Sequence, residues 1–162
     1  LNRPGHGCGK THIALAALWS IRLIDGDKPV SPLGKFYTAN DLIQRLDGES
    51  NFHRLLCYRW NYKTRVNEPP PILVIDDVGA EKQIPFVKAE RQQDELHARY
   101  FDVINHCYQD GISVIITANS TLDALAAHVG GRAWSRLLEM APRGYMLDMT
   151  GVPDYRRQAG GR

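Results

Sequence analysis

No apolar run in the 162-residue sequence approaches the roughly 18 residues that a membrane-crossing helix needs. The longest candidate, from Ile13 to Ile24, is interrupted by Ser20 and Arg22, and the opening residues do not read as a secretory leader. Cysteine is scarce. Cys8, Cys57 and Cys107 are odd in number and far apart, which argues against a disulfide framework and fits a reducing, cytoplasmic setting. None has metal-ligand spacing, and the six histidines include no His-x-x-x-His pair, so no metal other than Mg²⁺ is expected. Net charge is slight as well. Twenty basic residues against 18 acidic ones leave +2, too little to make nucleic acid the expected partner on charge alone. Internal repeats and low-complexity segments are also missing.

What is present is the composition of one globular domain, with 43% hydrophobic and 23% charged residues and enough chain to bury a substantial core. Thr11–Ile24, apolar on nearly every side, predicts a helix packed against a sheet. Asp25 through Gly34 reads as a loop. Lys35–Ala39 reads as a short strand, with Asn40 capping a helix that carries Leu42, Ile43 and Leu46. A second helix is expected from about Phe52 to Val66, stopped by Pro69-Pro70-Pro71. Ile72-Leu73-Val74-Ile75 running into Asp76-Asp77 predicts a buried parallel strand with carboxylates at its tip. An amphipathic helix follows from Lys88 to Gln109, then the turn Asp110-Gly111 and a strand from Ile112 to Ala118. Helices at Leu122–Val129 and Arg132–Glu139 and a last strand at Tyr145–Met149 complete the reading. Strands alternating with helices predict an α/β fold with a parallel sheet, whose ligands sit at the C-terminal strand ends.

Residues Pro4-Gly5-His6-Gly7-Cys8-Gly9-Lys10-Thr11 organise the chain. Glycines at alternate positions followed by Gly-Lys-Thr and an apolar helix have the form of a loop that cradles phosphates. Glycine lets backbone N–H groups approach a triphosphate, Lys10 reaches the β- and γ-phosphates, and the Thr11 hydroxyl ligates Mg²⁺. The strict pattern places glycine where Pro4 stands, so a glycine-rich turn that merely precedes Gly-Lys-Thr is the competing reading. Only Leu1-Asn2-Arg3 precede the loop, where a buried strand is expected, and this predicts a chain lacking its natural N-terminus.

Asp76 is expected to hold Mg²⁺ through water and Asp77 to orient or deprotonate an attacking water. The alternative is an ordinary acidic loop after a strand. Asn119, at the next strand end, is placed to bond both a γ-phosphate and that water, although Asn-Ser-Thr also suits a turn. Arg132 and Arg136 share a helix face, either as a solvated surface or as a guanidinium supplied to a neighbouring subunit. Arg156 and Arg157 are tail charges or phosphate sensors.

In this order the segments resemble the AAA+ ATPases, and most closely the DnaC/DnaI-type helicase loaders and IstB-type transposition helper ATPases. Gly7-Cys8-Gly9-Lys10-Thr11-His12-Ile13-Ala14 is similar to the family's Gly-x-Gly-Lys-Thr-His-Leu-Ala, and Phe36–Leu42 to its second strand and helix. Ile72–Gly79 resembles its acidic strand, Thr117-Ala118-Asn119 its sensor 1, Gly130–Leu137 its Gly-x-Arg-x-x-Ser-Arg-Leu segment and Asp154-Tyr155-Arg156 its closing Ser-Tyr-Arg. The resemblance implies a P-loop NTPase fold of the AAA+ kind, a three-layer αβα sandwich with its first strand missing. It also implies a single core domain and the cofactors ATP and Mg²⁺. Gly5, His6, Gly7, Cys8, Gly9, Lys10, Thr11, His12 and Arg156 would bind nucleotide, and Thr11 and Asp76 the metal. Asp77 and Asn119 would be catalytic, with Arg136 as the arginine finger of a head-to-tail homo-oligomer. The implied partners are a replicative helicase or a transposase, and single-stranded DNA. The basic, aromatic-containing stretch Arg54–Arg65 is either a DNA contact or a solvated face. A small-molecule kinase and a nucleotide-gated module without turnover are the rival functions. No acceptor-site signature supports the kinase, while Pro4 and the missing strand keep the module open.

Overall fold

The computed structural model describes residues 8–20, 24–25, 28–29, 34–46, 56, 59–61, 66–68, 72–141 and 145–153. Helix α1 (Lys10–Ser20) comes first, followed by the short antiparallel pair β1 (Ile24–Asp25) and β2 (Lys28–Pro29). Strand β3 (Lys35–Thr38) leads into α2 (Ala39–Arg45), and a second antiparallel pair, β4 (Arg59–Asn61) and β5 (Val66–Glu68), precedes β6 (Ile72–Val78). A 3-10 turn at Ala89–Arg91 opens α3 (Gln92–Gln109), and β7 (Ser113–Ala118), α4 (Leu122–Val129) and α5 (Gly131–Met140) complete the order.

Strands β3, β6 and β7 form a parallel sheet in that order, with β6 in the middle. The α/β class and the parallel sheet expected from alternating strands and helices are therefore present. Because β6 is covered on both faces, its residues are continuously apolar rather than alternating. Ile72 and Val74 pack with Ala14 and Leu18 of α1 on one face. Leu73 and Ile75 join the larger core formed by Leu42 and Ile43 of α2 and by Tyr100, Val103, Ile104 and Cys107 of α3. Those four α3 residues recur at the three- and four-residue spacing of one helical face, and all are fully buried.

Turn chemistry aims β7. Gly111 takes φ +67°, and the Ile112 N–H bonds the Cys107 carbonyl at 2.9 Å. This is the six-to-one bond of a Schellman ending, which returns the chain to the sheet directly after α3.

Several local expectations are corrected. The described part of Phe52–Val66 forms the strands β4 and β5, not a helix. Trp60 and Val66 favour extended backbone, and the antiparallel pairing of Trp60 with Asn67 and of Asn61 with Val66 holds the two strands together. Tyr145–Met149 forms no strand among the described residues. The Asp148 carboxylate accepts the Thr150 N–H at 2.8 Å, and Val152 closes a turn onto Met149, so local turn bonds replace pairing. The cap of α2 is Thr38, whose hydroxyl accepts the Asp41 N–H at 3.1 Å, whereas Asn40 lies inside the helix and accepts the Lys82 N–H. Helix α1 is described as far as Ser20, and Ile24, expected to close it, belongs instead to β1; the sheet covers one side of the helix, leaving Ile13 and Trp19 about half exposed. Asp25 and Pro29, expected as loop, belong to the paired strands β1 and β2.

Gly34 marks the tightest approach between α1 and the sheet. A Cβ there would lie 2.9 Å from the Ile72 carbonyl oxygen, and it would also collide with the Leu18 side chain. Gly34→Ala should therefore cost about 2 kcal/mol through overpacking, lowering Tm by roughly 4–8 °C in a thermal melt. An unchanged Tm would mean that α1 does not seat this closely.

Candidate active site

A bulge at the end of β6 builds the site. Ile75 pairs with Ile116 and Val78 with Ala118, so Asp76 and Asp77 together oppose the single residue Thr117. The extra residue separates the two acids. Asp76 turns inward and is buried, while Asp77 is exposed and takes φ +62°, a left-handed conformation that aspartate adopts more readily than most side chains.

The start of α1 meets these acids. Gly9, at φ +92°, turns the chain into the helix and accepts the Ile13 N–H at 3.0 Å. Two residues later the Thr11 hydroxyl lies 3.0 and 2.9 Å from the two carboxylate oxygens of Asp76, across 65 positions of sequence. Thr117 donates its hydroxyl to the same carboxylate at 2.6 Å. The Asn119 amide donates to Asp77 at 2.7 Å. Lys10, next to Thr11 in the chain, has its ammonium 3.5 Å from the Cys8 sulfur, and Cys8 itself is buried.

These residues fit a hard divalent cation held jointly with phosphate. A hydroxyl that donates its proton to a carboxylate keeps its lone pairs for a cation, and Thr11 does so beside a buried acid. No cluster of three or more His, Cys, Asp or Glu side chains occurs among the described residues, so a cation here would complete its shell with water and phosphate oxygens. That is the habit of Mg²⁺.

The sequence-predicted residues divide accordingly. Thr11, Asp76, Asp77 and Asn119 come together, with Cys8, Gly9 and Lys10 beside them. His12 is exposed on α1. Arg136 lies elsewhere in the same chain, 3.2 Å from Glu139 with its guanidinium over the Tyr108 ring. Arg132 stacks similarly on Phe101 at 3.7 Å. Gly5, His6, Gly7 and Arg156 lie outside the described residues, as does Arg54.

A polar anchor beneath the site was not foreseen. The Glu81 side chain is almost fully enclosed. It accepts the backbone N–H of Gly79, the Tyr100 hydroxyl and, at 2.8 Å, the His128 ring. It thereby ties the loop that follows Asp77 to α3 and α4. Glu81 reads as one polar residue in a loop and Tyr100 as core, and only the fold joins residues so far apart. Thr117 is legible as part of Thr-Ala-Asn, but the partners of its hydroxyl depend on the neighbouring strand.

No protein-family model, curated protein or solved structure matches the chain.

Burial raises the pKa of the Tyr100 phenol well above its ordinary value, and the neighbouring Glu81 charge and hydrogen bond add to the rise. With the folded value above the unfolded one, this stabilisation is complete below about pH 10 and is lost as pH climbs further. In an alkaline absorbance titration Tyr100 should ionise only as the protein unfolds, and Tyr100→Phe should remove that component. Ionisation of Tyr100 together with the exposed tyrosines in folded protein would refute its enclosure by Glu81.

Proposed function

We propose that this chain is the ATP-binding and ATP-hydrolysing core of an AAA+ protein of the helicase-loader kind, a P-loop NTPase with an αβα sandwich. The observation that carries the reading is the contact between Thr11, in the first turn of α1 after a glycine-rich sequence, and Asp76 at the tip of a buried parallel strand. Residues Gly5 through Lys10 would cradle the triphosphate, with His12 and Arg156 completing the nucleotide contacts. Thr11 would hold Mg²⁺ directly and Asp76 through water. Bound Mg²⁺ would neutralise charge on the β- and γ-phosphate oxygens.

Asp77 is the exposed acid, and Asn119 holds one of its oxygens. In the proposed step Asp77 accepts a proton from a water whose oxygen bonds to the γ-phosphorus. The bond from that phosphorus to the bridging oxygen breaks in line, and ADP and phosphate result. Arg136 would act on a neighbouring subunit in a head-to-tail assembly. Its ion pair with Glu139 and its place over the exposed Tyr108 ring are each of a kind that contributes about 1 kcal/mol or less, and both would be given up to reach a neighbour's phosphate. Single-stranded DNA and a replicative helicase are the proposed partners, from the order of the motifs. A transposase in an IstB-like role is the alternative within the same chemistry.

Steady-state ATP turnover measured against protein concentration, with and without single-stranded DNA, tests this. Turnover should rise faster than linearly with protein and further with DNA. Asp77→Asn should still bind ATP while losing hydrolysis, and persistent hydrolysis in that variant would remove Asp77 from its role.

A further inference from the structure

We infer that Thr117 is a positioning residue that sets both acids of the site through one hydroxyl. Resting on the ATP-site reading, this assigns a working role to a side chain two residues before Asn119. Thr117 is the residue that stands opposite both Asp76 and Asp77 where β6 bulges. Its hydroxyl has a single proton, and that proton goes to Asp76 Oδ1 at 2.6 Å. The Thr117 hydroxyl oxygen in turn accepts the backbone N–H of Asp77 at 2.9 Å. The donor and acceptor capacities of the group are thus both used, and their directions are fixed.

Two consequences follow. The Asp77 N–H, which the bulge removes from the regular ladder, gains an acceptor, and the left-handed φ of Asp77 is pinned. Asp76 receives hydroxyls from two directions, Thr11 from α1 and Thr117 from β7, which sets the rotation of its carboxylate. A continuous chain of hydrogen bonds therefore runs from the Asp77 backbone through Thr117 and Asp76 to Thr11. It joins the proposed water-activating acid to the proposed metal-binding hydroxyl. Packing alone does not ask for threonine here. Valine has the same branched shape, suits a buried strand and brings no hydroxyl to desolvate.

Thr117→Val and Thr117→Ser separate this role from a structural one. Two readouts are taken on the full chain: hydrogen exchange of the Asp77 amide by NMR, and kcat and KM for ATP with Mg²⁺. Thr117→Val should expose the Asp77 amide to exchange while those of Leu73 and Ile75 stay protected. It should lower kcat by about 10–100-fold, the usual cost of losing a group that orients a reacting one, with KM within about twofold. Thr117→Ser should restore both. An Asp77 amide still protected in the valine variant, or a wild-type kcat with that amide exposed, would overturn the inference. Absence of turnover in the unaltered protein would contradict the ATPase reading instead, and the amide measurement would still decide whether Thr117 fixes the bulge.

Discussion

A carboxylate taken out of water needs compensation, and Asp76 is a buried acid at the junction of α1, β6 and β7. Desolvating such a charge costs several kcal/mol, whereas each hydrogen bond to it returns about 1.5–3 kcal/mol. The hydroxyls of Thr11 and Thr117 therefore come near to balancing the cost without clearly exceeding it. Under the proposed reading a bound cation would add to this compensation, and Thr11 keeps lone pairs available to share one. The same requirement dictates where the start of α1 must lie, since Thr11 reaches Asp76 only if the helix packs across the sheet.

The packing supplies that placement. Ala14 and Leu18 seat α1 on Ile72 and Val74, on the face opposite the main core, so the helix start is held at the strand tips. On the other face, Leu73 and Ile75 lock β6 to α2 and α3. Between these layers the strand has little freedom until its bulge, where regular pairing ends and the two acids diverge. The loop beyond the bulge is anchored again at once by Glu81, which holds Tyr100 and His128. Buried networks of this kind fix geometry as long as every member is satisfied, and Glu81 is satisfied by three elements. The acids thus sit between two anchored points.

Much of this was legible in the sequence because it is local. Four aliphatic residues followed by two acids specify a buried strand and its polar tip without reference to the rest of the chain, and the apolar spacing of α3 specifies its buried face. Thr11, Asp76, Asp77 and Asn119 were recognisable as candidates from their positions at element ends. The bulge was not, because a one-residue register shift depends on the partner strand. Nor was the Glu81 anchor, which joins a loop to two helices. Residues 59–61 and 66–68 pair with each other as strands, a partnership that a reading of one segment as a helix does not anticipate. At residues 145–149 the apolar residues suggested a strand, but the Asp148 side chain offered the backbone a turn bond instead.

Calorimetric titration with ATP, in the presence of Mg²⁺ and again with the metal chelated, tests most directly whether Asp76 and Thr11 form a metal–nucleotide site. If they do, Mg²⁺ should tighten binding on the order of tenfold or more, and Asp76→Asn should erase the difference. Equal affinity with and without Mg²⁺ in the unaltered protein would contradict the site.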